Sequence, residues 1–288
     1  MLSEKPTDAY TRVIEDIVPA RVVVTKYVVR RRYCCKFGKQ VSPEIPNIVG
    51  GGSNERFGLR LMLLIASLKL LGLSYEKIGS LLKLLFGLDV TEAAMVHSVM
   101  SVSSAFGPRY DELREELRKE ASLHGDETSW MIKGRNHWLW AFLGRWSVIY
   151  EVAKSRGKDV PKMMLRDSIE AGEKVTSSED RLRASADELI ASYSLSIEKN
   201  CRRFAKRLRR ERDMLFTFLE EEGVDWNNNA AERALRSSVV IQKMTYRNQS
   251  DEGARAHAVL MSIKETCNLR KENFYDYAMQ YLNPTSKR

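Results

Sequence analysis

The chain has 288 residues, enough for one large domain or two small ones whose apolar core needs no disulfides. Hydrophobic residues make up 43% of it and charged residues 30%, which excludes collagen-like, mucin-like and intrinsically disordered classes. The 47 Lys and Arg residues against 38 Asp and Glu give a formal charge of +9, which favours a polyanionic partner.

The first distinctive segment is basic and rich in valine. Residues 21–39 contain seven Lys or Arg residues and no acidic residue, a pattern that indicates an extended basic arm or a pair of strands. Residues 43–54, with prolines and three consecutive glycines, indicate a linker.

A helical region follows the linker. Apolar residues at three- and four-residue steps predict a helix over residues 57–71. Ser74 and Thr91 are predicted to cap the second and third helices, Gly87 to end the second, and Pro108 to begin the fourth.

The second and third helices are compatible with a helix-turn-helix motif or with a simple helical hairpin. Residues 91–106 contain no Lys or Arg, although a recognition helix normally contacts phosphates as well as bases. The helical hairpin is the favoured interpretation, and DNA recognition is the alternative.

The pattern changes after residue 121 to strand-like alternation. Aromatic residues alternate over 137–143 and apolar residues over 146–152, with Gly144 and Arg145 predicted as a tight turn between them. With residues 123–130 they predict three antiparallel strands. Helical patterns then cover residues from 160 onwards, including 193–222, 230–240, 252–268 and 273–282. The fold class expected is α+β.

Two carboxylates lie in conspicuous strings: Asp126 before the aromatic hairpin, and Glu232 at a helix start. A carboxylate on an early strand and another on a late helix suit Mg²⁺, which prefers oxygen ligands and promotes phosphoryl transfer. Each has a structural alternative, because Asp126 could be a strand-end residue and Glu232 could complete a capping box with Asn229.

Several strings in register make the pattern specific. They are RFGLRLMLLIASLKLLGLSYEKIGSLL, HGDETSW, NHWLWAFL, KSRGKDV, RRFAKRLRRERDMLFTF, NNNAAERALR and EGARAH. Together they resemble the insertion-sequence-66 family of DDE transposases across residues 30–282. The resemblance implies an RNase H-like catalytic core in which two Asp and one Glu bind Mg²⁺ or Mn²⁺ and cut and join DNA. By position, Asp126 matches the first Asp and Glu232 matches the Glu, both as catalytic residues and metal ligands.

The sequence departs from the family where the second Asp should stand. The family has an apolar strand ending in that Asp, followed by a Cys-x-x-His-Leu-x-Arg-Asp segment. Here KSRGKDVPKMM runs directly into Leu165-Arg166-Asp167, which matches the end of that later segment. This indicates an internal deletion that removes a central strand and leaves neighbouring strand edges unpaired. The nearby acidic residues are Asp159, which is better explained as a helix start, and Asp167, which matches a family position that is not catalytic, and neither is expected to replace the lost Asp.

The N-terminus departs from the family as well, because the family's zinc-ribbon-like module is incomplete. Cys34 matches one ligand of a Cys-x-x-Cys unit, but Phe37 stands at the second position and no Cys or His precedes Cys34. Four-coordinate zinc cannot be assembled from this remnant, so no structural zinc is expected.

A strongly basic helix is predicted over residues 199–212, where Glu211 is the only acid. Its inward face is predicted to be Phe204, Leu208 and Leu215. Solvated helix surfaces usually mix signs, so contact with phosphates is favoured over a merely solvated surface. The DNA-binding candidates are Lys199, Arg202, Arg203, Lys206, Arg207, Arg209, Arg210, Arg233 and Arg236.

Three units are expected: a basic arm with the zinc-ribbon remnant and linker (1–52), a helical region (53–121), and an incomplete RNase H-like core of antiparallel strands plus helices (122–288). The expected function is that of a DNA transposase acting on transposon ends and target DNA, catalytically impaired by loss of the second Asp. The alternative is a non-catalytic DNA-binding protein or an inhibitor of an intact transposase. A second copy or an intact transposase is the expected protein partner.

The sequence predicts a cytoplasmic protein. The longest apolar stretch, residues 59–73, contains Arg60 and Lys69 and is too short for a membrane span, and no apolar run follows the first residues. The four cysteines are one adjacent pair and two isolated residues, which is not a disulfide framework.

Overall fold

The computed structural model has an α+β fold. It describes residues 12–16, 21–41, 45, 49, 56–120, 123–157, 159–164, 178–216, 228–245 and 249–283. Within these residues, two small antiparallel sheets accompany ten α-helices. No helix in this part of the chain combines the length and the apolar character needed to cross a bilayer.

The basic N-terminal segment contains the pair of strands that its sequence allowed. Residues 21–31 are exposed and carry no regular secondary structure. They lead into a short hairpin of β1 (Arg32–Cys34) and β2 (Lys39–Val41), closed by a turn in which the Phe37 amide donates to the Cys34 carbonyl. Nearly all of the predicted linker lies outside the described residues.

Four helices follow: α1 (Leu59–Leu70), α2 (Tyr75–Phe86), α3 (Glu92–Ala105) and α4 (Gly107–Arg118). The predicted caps are confirmed, because Ser74 Oγ accepts from the Lys77 amide and Thr91 Oγ1 from the Ala94 amide. Gly87 ends α2 with φ 65°, a left-handed conformation that glycine adopts without a steric penalty.

Helix α3 has one buried side. Met95, Val99 and Val102 are buried there, and the helix packs against α1, α2 and α4. Glu92, Ala93, His97 and Ser104 are exposed on the rest of the helix. A groove-reading helix also packs one side against its own domain, so the helical hairpin and the helix-turn-helix both stay predictions.

The larger sheet consists of three antiparallel strands in sequence order: β3 (His124–Ile132), β4 (Arg135–Leu143) and β5 (Val148–Ala153). Lys133 and Gly134 join β3 to β4, both with positive φ, as a two-residue hairpin turn requires. The predicted two-residue turn at Gly144 is wrong. Four residues connect β4 to β5, and the Gly144 amide donates to the Ser147 carbonyl.

The remaining helices are α5 (Asp159–Met164), α6 (Ser178–Ser194), α7 (Lys199–Glu211), α8 (Asn229–Thr245), α9 (Asp251–Leu269) and α10 (Phe274–Leu282). Asp159 begins α5, as predicted. The predicted helical start at Tyr193 is wrong, because Tyr193 lies in the last turn of α6 and a break separates it from α7.

Helices cover both faces of this sheet. On one face, Tyr150 of β5 donates its hydroxyl hydrogen to the Ala234 carbonyl of α8, at 2.6 Å. On the other face, Tyr110 of α4 donates to Glu151, which also pairs with Arg114. One hydrophobic cluster joins the N-terminal helices, the sheet and the C-terminal helices, so the strands are held from both sides.

His257 of α9 is partly buried against this core. Its ring stacks on Trp130 of β3 with centroids 4.9 Å apart, and its Nε2 lies 3.1 Å from Ser238 Oγ of α8. Burial, assisted by the charges of Lys69 and Lys264, lowers the pKa of His257 to about 3.

The lowered pKa of His257 predicts an acid-sensitive fold. Because the folded pKa lies below the unfolded value of about 6.5, the stabilisation is complete above pH ~6.5 and is lost as the pH falls toward 3, at about 1.4 kcal/mol per pH unit. We expect the free energy of unfolding to fall by about 2 kcal/mol more in the wild type than in His257→Gln between pH 7 and pH 5. Denaturant titrations at both pH values measure this difference, with the exposed His97→Gln as control. Equal pH dependence in the wild type and His257→Gln would contradict the assignment.

Candidate metal and DNA site

Asp126 lies in the first half of β3, on the sheet face that α8 and α9 cover. Side chains alternate along a strand, so Asp126 shares its face with Trp130, whose ring contacts His257 of α9. Its pair on β4 is Ala141, which is fully buried. Asp126 itself is half-buried. The carboxylate therefore stands at the margin of the core, where it can meet a ligand from solvent.

Glu232 lies in the first turn of α8 and is exposed. Four residues earlier, Asn228 donates its side-chain amide to the carbonyl of Gly125, the neighbour of Asp126, at 3.0 Å. Residues four apart lie on the same side of a helix. This hydrogen bond therefore holds the Glu232 side of α8 beside the part of β3 that carries Asp126.

The two carboxylates have no hydrogen-bond or ion-pair partner among the described residues. By contrast, Glu127, which follows Asp126 and points to the opposite face, pairs with Arg156. Unpaired carboxylates on neighbouring elements are oxygen donors available to a hard cation.

Mg²⁺ is commonly held by one or two carboxylates together with water and substrate phosphates. Asp126 and Glu232 are of the ligand type that such an ion prefers. No group of three His, Cys, Asp or Glu side chains suited to a metal occurs in the part of the chain that the structure describes. Asp167 lies outside those residues.

The two edges of the three-stranded sheet differ. At the β5 edge, Ser262 and Thr266 of α9 accept hydrogen bonds from the amides of Tyr150 and Val148, at 2.8 and 3.0 Å. At the β3 edge, β4 is the only strand that pairs with β3 within the described residues. The β3 edge adjoins Asp126, and an additional strand could pair there.

The predicted DNA-binding residues fall on two elements. Arg233 and Arg236 are exposed on α8, close to Glu232. The others lie on α7, which packs against α6 as a helical hairpin. The predicted inward position of Phe204 is wrong, because this side chain is 53% exposed and Ala205 is the buried residue. Phe204 instead makes an edge-to-face contact with Tyr193 of α6.

Sequence reasoning missed three residues that hold the sheet and the helices around it together. Ser262 and Thr266 close the β5 edge, and Asn228 ties α8 to β3. Asn228 stands in a run of three asparagines before a helix, which signalled a cap but not its long-range partner. Ser262 and Thr266 carry no signal, because their partners are backbone amides more than 100 residues away.

The comparisons with known proteins agree with this architecture. The family described as "Transposase IS66 family" matches the chain in two segments, residues 57–184 and 170–256, which together span well over half of its length. A comparison with curated proteins gives no match. The chain therefore belongs to the IS66 family of transposases.

Proposed function

We propose that this chain binds the DNA of transposon ends as an IS66-type transposase and that its catalytic activity is impaired. The observation that carries the proposal is the carboxylate site. Asp126 and Glu232 lie on adjoining elements, yet no third carboxylate accompanies them among the described residues. The sequence also lacks the apolar strand that ends in the family's second Asp, which supports a site with two of the three family carboxylates.

An internal deletion explains the missing ligand. In the RNase H-like arrangement that we propose for the core, the absent strand would pair beside β3, and β4 is the only described strand that pairs with β3. The two segments of the family match overlap at residues 170–184 instead of forming one continuous match. Both observations support a loss of sequence between the third strand of the sheet and α6.

A divalent ion, Mg²⁺ or Mn²⁺, would activate a water or a DNA 3′-hydroxyl and stabilise the leaving oxygen when bound. Asp126 and Glu232 would hold it, and Asn228 would keep their two elements together through Gly125. Arg233 and Arg236 would neutralise phosphates beside Glu232. With one carboxylate fewer than the three of the family site, the ion would be held less firmly than in an intact relative, which supports reduced catalysis more than reduced DNA binding.

The alternative, a non-catalytic DNA-binding protein or an inhibitor of an intact transposase, is favoured by one specific observation. Most of the predicted DNA-binding cations lie on α7, which makes its principal contacts with α6 and not with the strand that carries Asp126. DNA binding through this hairpin would persist without any metal.

Gel shifts with a duplex that carries the transposon's terminal sequence test the DNA-binding part of the proposal. We expect binding in EDTA with an affinity that falls steeply as salt rises from 50 to 200 mM, because phosphate contacts release counterions. If the chain is an inhibitor, adding it to an intact transposase of the family is expected to reduce strand joining by that transposase. Absence of binding to any duplex at 50 mM salt would contradict both the transposase and the inhibitor.

A further inference from the structure

The hairpin of α6 and α7 divides the basic residues of α7 into two faces. Arg202, Ala205, Arg209 and Arg212 follow one another at steps of three, four and three residues, which places them on one side of the helix and its extension. Ala205 is fully buried. This side is the one that packs toward α6.

The arginines on this first face are occupied within the hairpin. Arg202 donates to the carbonyls of Ser196 and Ile197 in the turn between the helices, at 2.8 and 2.7 Å. Arg209 donates to Ser194 Oγ, and Arg212 forms a two-pronged ion pair with Asp187 of α6. These guanidinium groups hold the two helices together.

A second face of α7 carries cations that do not bond to α6 or to the turn between the helices. Lys199, Arg203 and Lys206 stand at steps of four and three residues, are exposed, and have no hydrogen-bond or ion-pair partner among the described residues. Arg210 continues the same row one turn later but pairs with Glu211. Lys199, Arg203 and Lys206 are called the basic stripe below.

We propose that the basic stripe is the part of α7 that contacts the DNA backbone, whereas Arg202, Arg209 and Arg212 maintain the hairpin. This proposal rests on the proposed DNA-binding function and assigns it to three of the seven cations predicted on α7. The ligand is the phosphate backbone of duplex DNA, bound without regard to base sequence.

The spacing of the basic stripe suits a row of phosphates. From Lys199 to Lys206 are seven residue steps, about 10 Å along a helix, which equals about three nucleotide steps of one DNA strand. Cations on one helix face repel one another, and those of the basic stripe have no carboxylate among the described residues to offset this repulsion. A polyanion would therefore stabilise them. An anionic membrane would need an apolar flank in line with the stripe, but Phe204 lies on the flank of the helix that contacts Tyr193.

The test compares two charge-matched triple variants of the full chain. One replaces the basic stripe, as Lys199→Gln, Arg203→Gln and Lys206→Gln. The control replaces three exposed lysines elsewhere, as Lys77→Gln, Lys119→Gln and Lys162→Gln. Fluorescence anisotropy with a 30-base-pair duplex gives Kd and its salt dependence, while circular dichroism reports that both variants remain folded.

We expect the stripe variant to bind about 10- to 100-fold more weakly near 0.1 M salt, and the slope of log K against log salt to fall by about 2 to 3. The control variant should change the slope by less than about 1. Equal slopes for the wild type and the stripe variant would overturn this inference alone, and equal losses in both variants would do the same. Failure of the wild type to bind any duplex would overturn the inference together with the proposed function. Stripe-dependent binding to vesicles with anionic lipid, without binding to DNA, would also overturn it.

Discussion

Replacing Trp130 with Ala is expected to lower the free energy of unfolding by about 3–5 kcal/mol, the usual cost of deleting a large aromatic side chain from a core. Trp130 is 1% exposed and its ring stacks on His257 of α9. It therefore fastens the strand that carries Asp126 to the helices of the opposite layer. Its removal leaves a cavity that these rigid elements fill only in part.

The matched control for this substitution is Trp146→Ala in the turn between β4 and β5. Trp146 is 56% exposed, and its ring contacts the Arg145 guanidinium at the surface. Surface substitutions of this kind usually change the free energy of unfolding by less than about 1 kcal/mol. Urea denaturation of both variants measures these two changes in the free energy of unfolding. Similar losses in the two would show that Trp130 does not occupy the core position described.

Replacing both Ser262 with Ala and Thr266 with Val is expected to cost about 2–6 kcal/mol, since each buried amide left without an acceptor costs about 1–3 kcal/mol. The amides concerned belong to Tyr150 and Val148, at the outer edge of β5. All four residues are buried, so water cannot replace the lost acceptors.

Ser98→Ala is the control for this double variant. Ser98 is as buried as Ser262, but its hydroxyl donates only to the Ala94 carbonyl of its own helix, at 2.9 Å. That carbonyl keeps its helical hydrogen bond when the hydroxyl is removed, so we expect a loss below about 1 kcal/mol. Native-state hydrogen exchange should show the Val148 and Tyr150 amides losing protection in the double variant. Unchanged protection there would contradict the proposed closure of the β5 edge.

Local rules explain why much of the fold could be predicted from the sequence. Ser74, Thr91 and Gly87 mark helix boundaries through hydrogen bonds or dihedral angles within four residues, so their neighbours alone determine the outcome. The three strands were recognisable because both faces of the sheet are packed and the alternating aromatic residues fill one of them.

The predictions were wrong where contacts with an element distant in sequence determine the local structure. Phe204 matches an inward helical position, but the orientation of α7 is set by the arginines that bond to α6 and to the turn between the helices. The connection between β4 and β5 is longer than Gly144 suggested, because Glu120 accepts from the Arg145 amide and the Ser147 hydroxyl and draws the turn toward the end of α4.

The site was predictable in part for a related reason. Asp126 and Glu232 were identified by resemblance to the family, since 105 intervening residues carry no distance information. The contact between their two elements includes the hydrogen bond from Asn228 to Gly125, which only the folded chain shows. The division of the basic residues on α7 was also hidden from the sequence, because the paired arginines and the unpaired cations are interleaved along the same segment.

The central claim is that this chain binds transposon DNA but is catalytically impaired. A strand cleavage and transfer assay tests it most directly, on a duplex with the transposon's terminal sequence, in Mg²⁺ and in Mn²⁺. The two-carboxylate site predicts that the chain binds this duplex but forms no more joined product than Asp126→Ala does, in either metal. Robust joining by the wild type that Asp126→Ala abolishes would contradict the claim and would require a further carboxylate in the site.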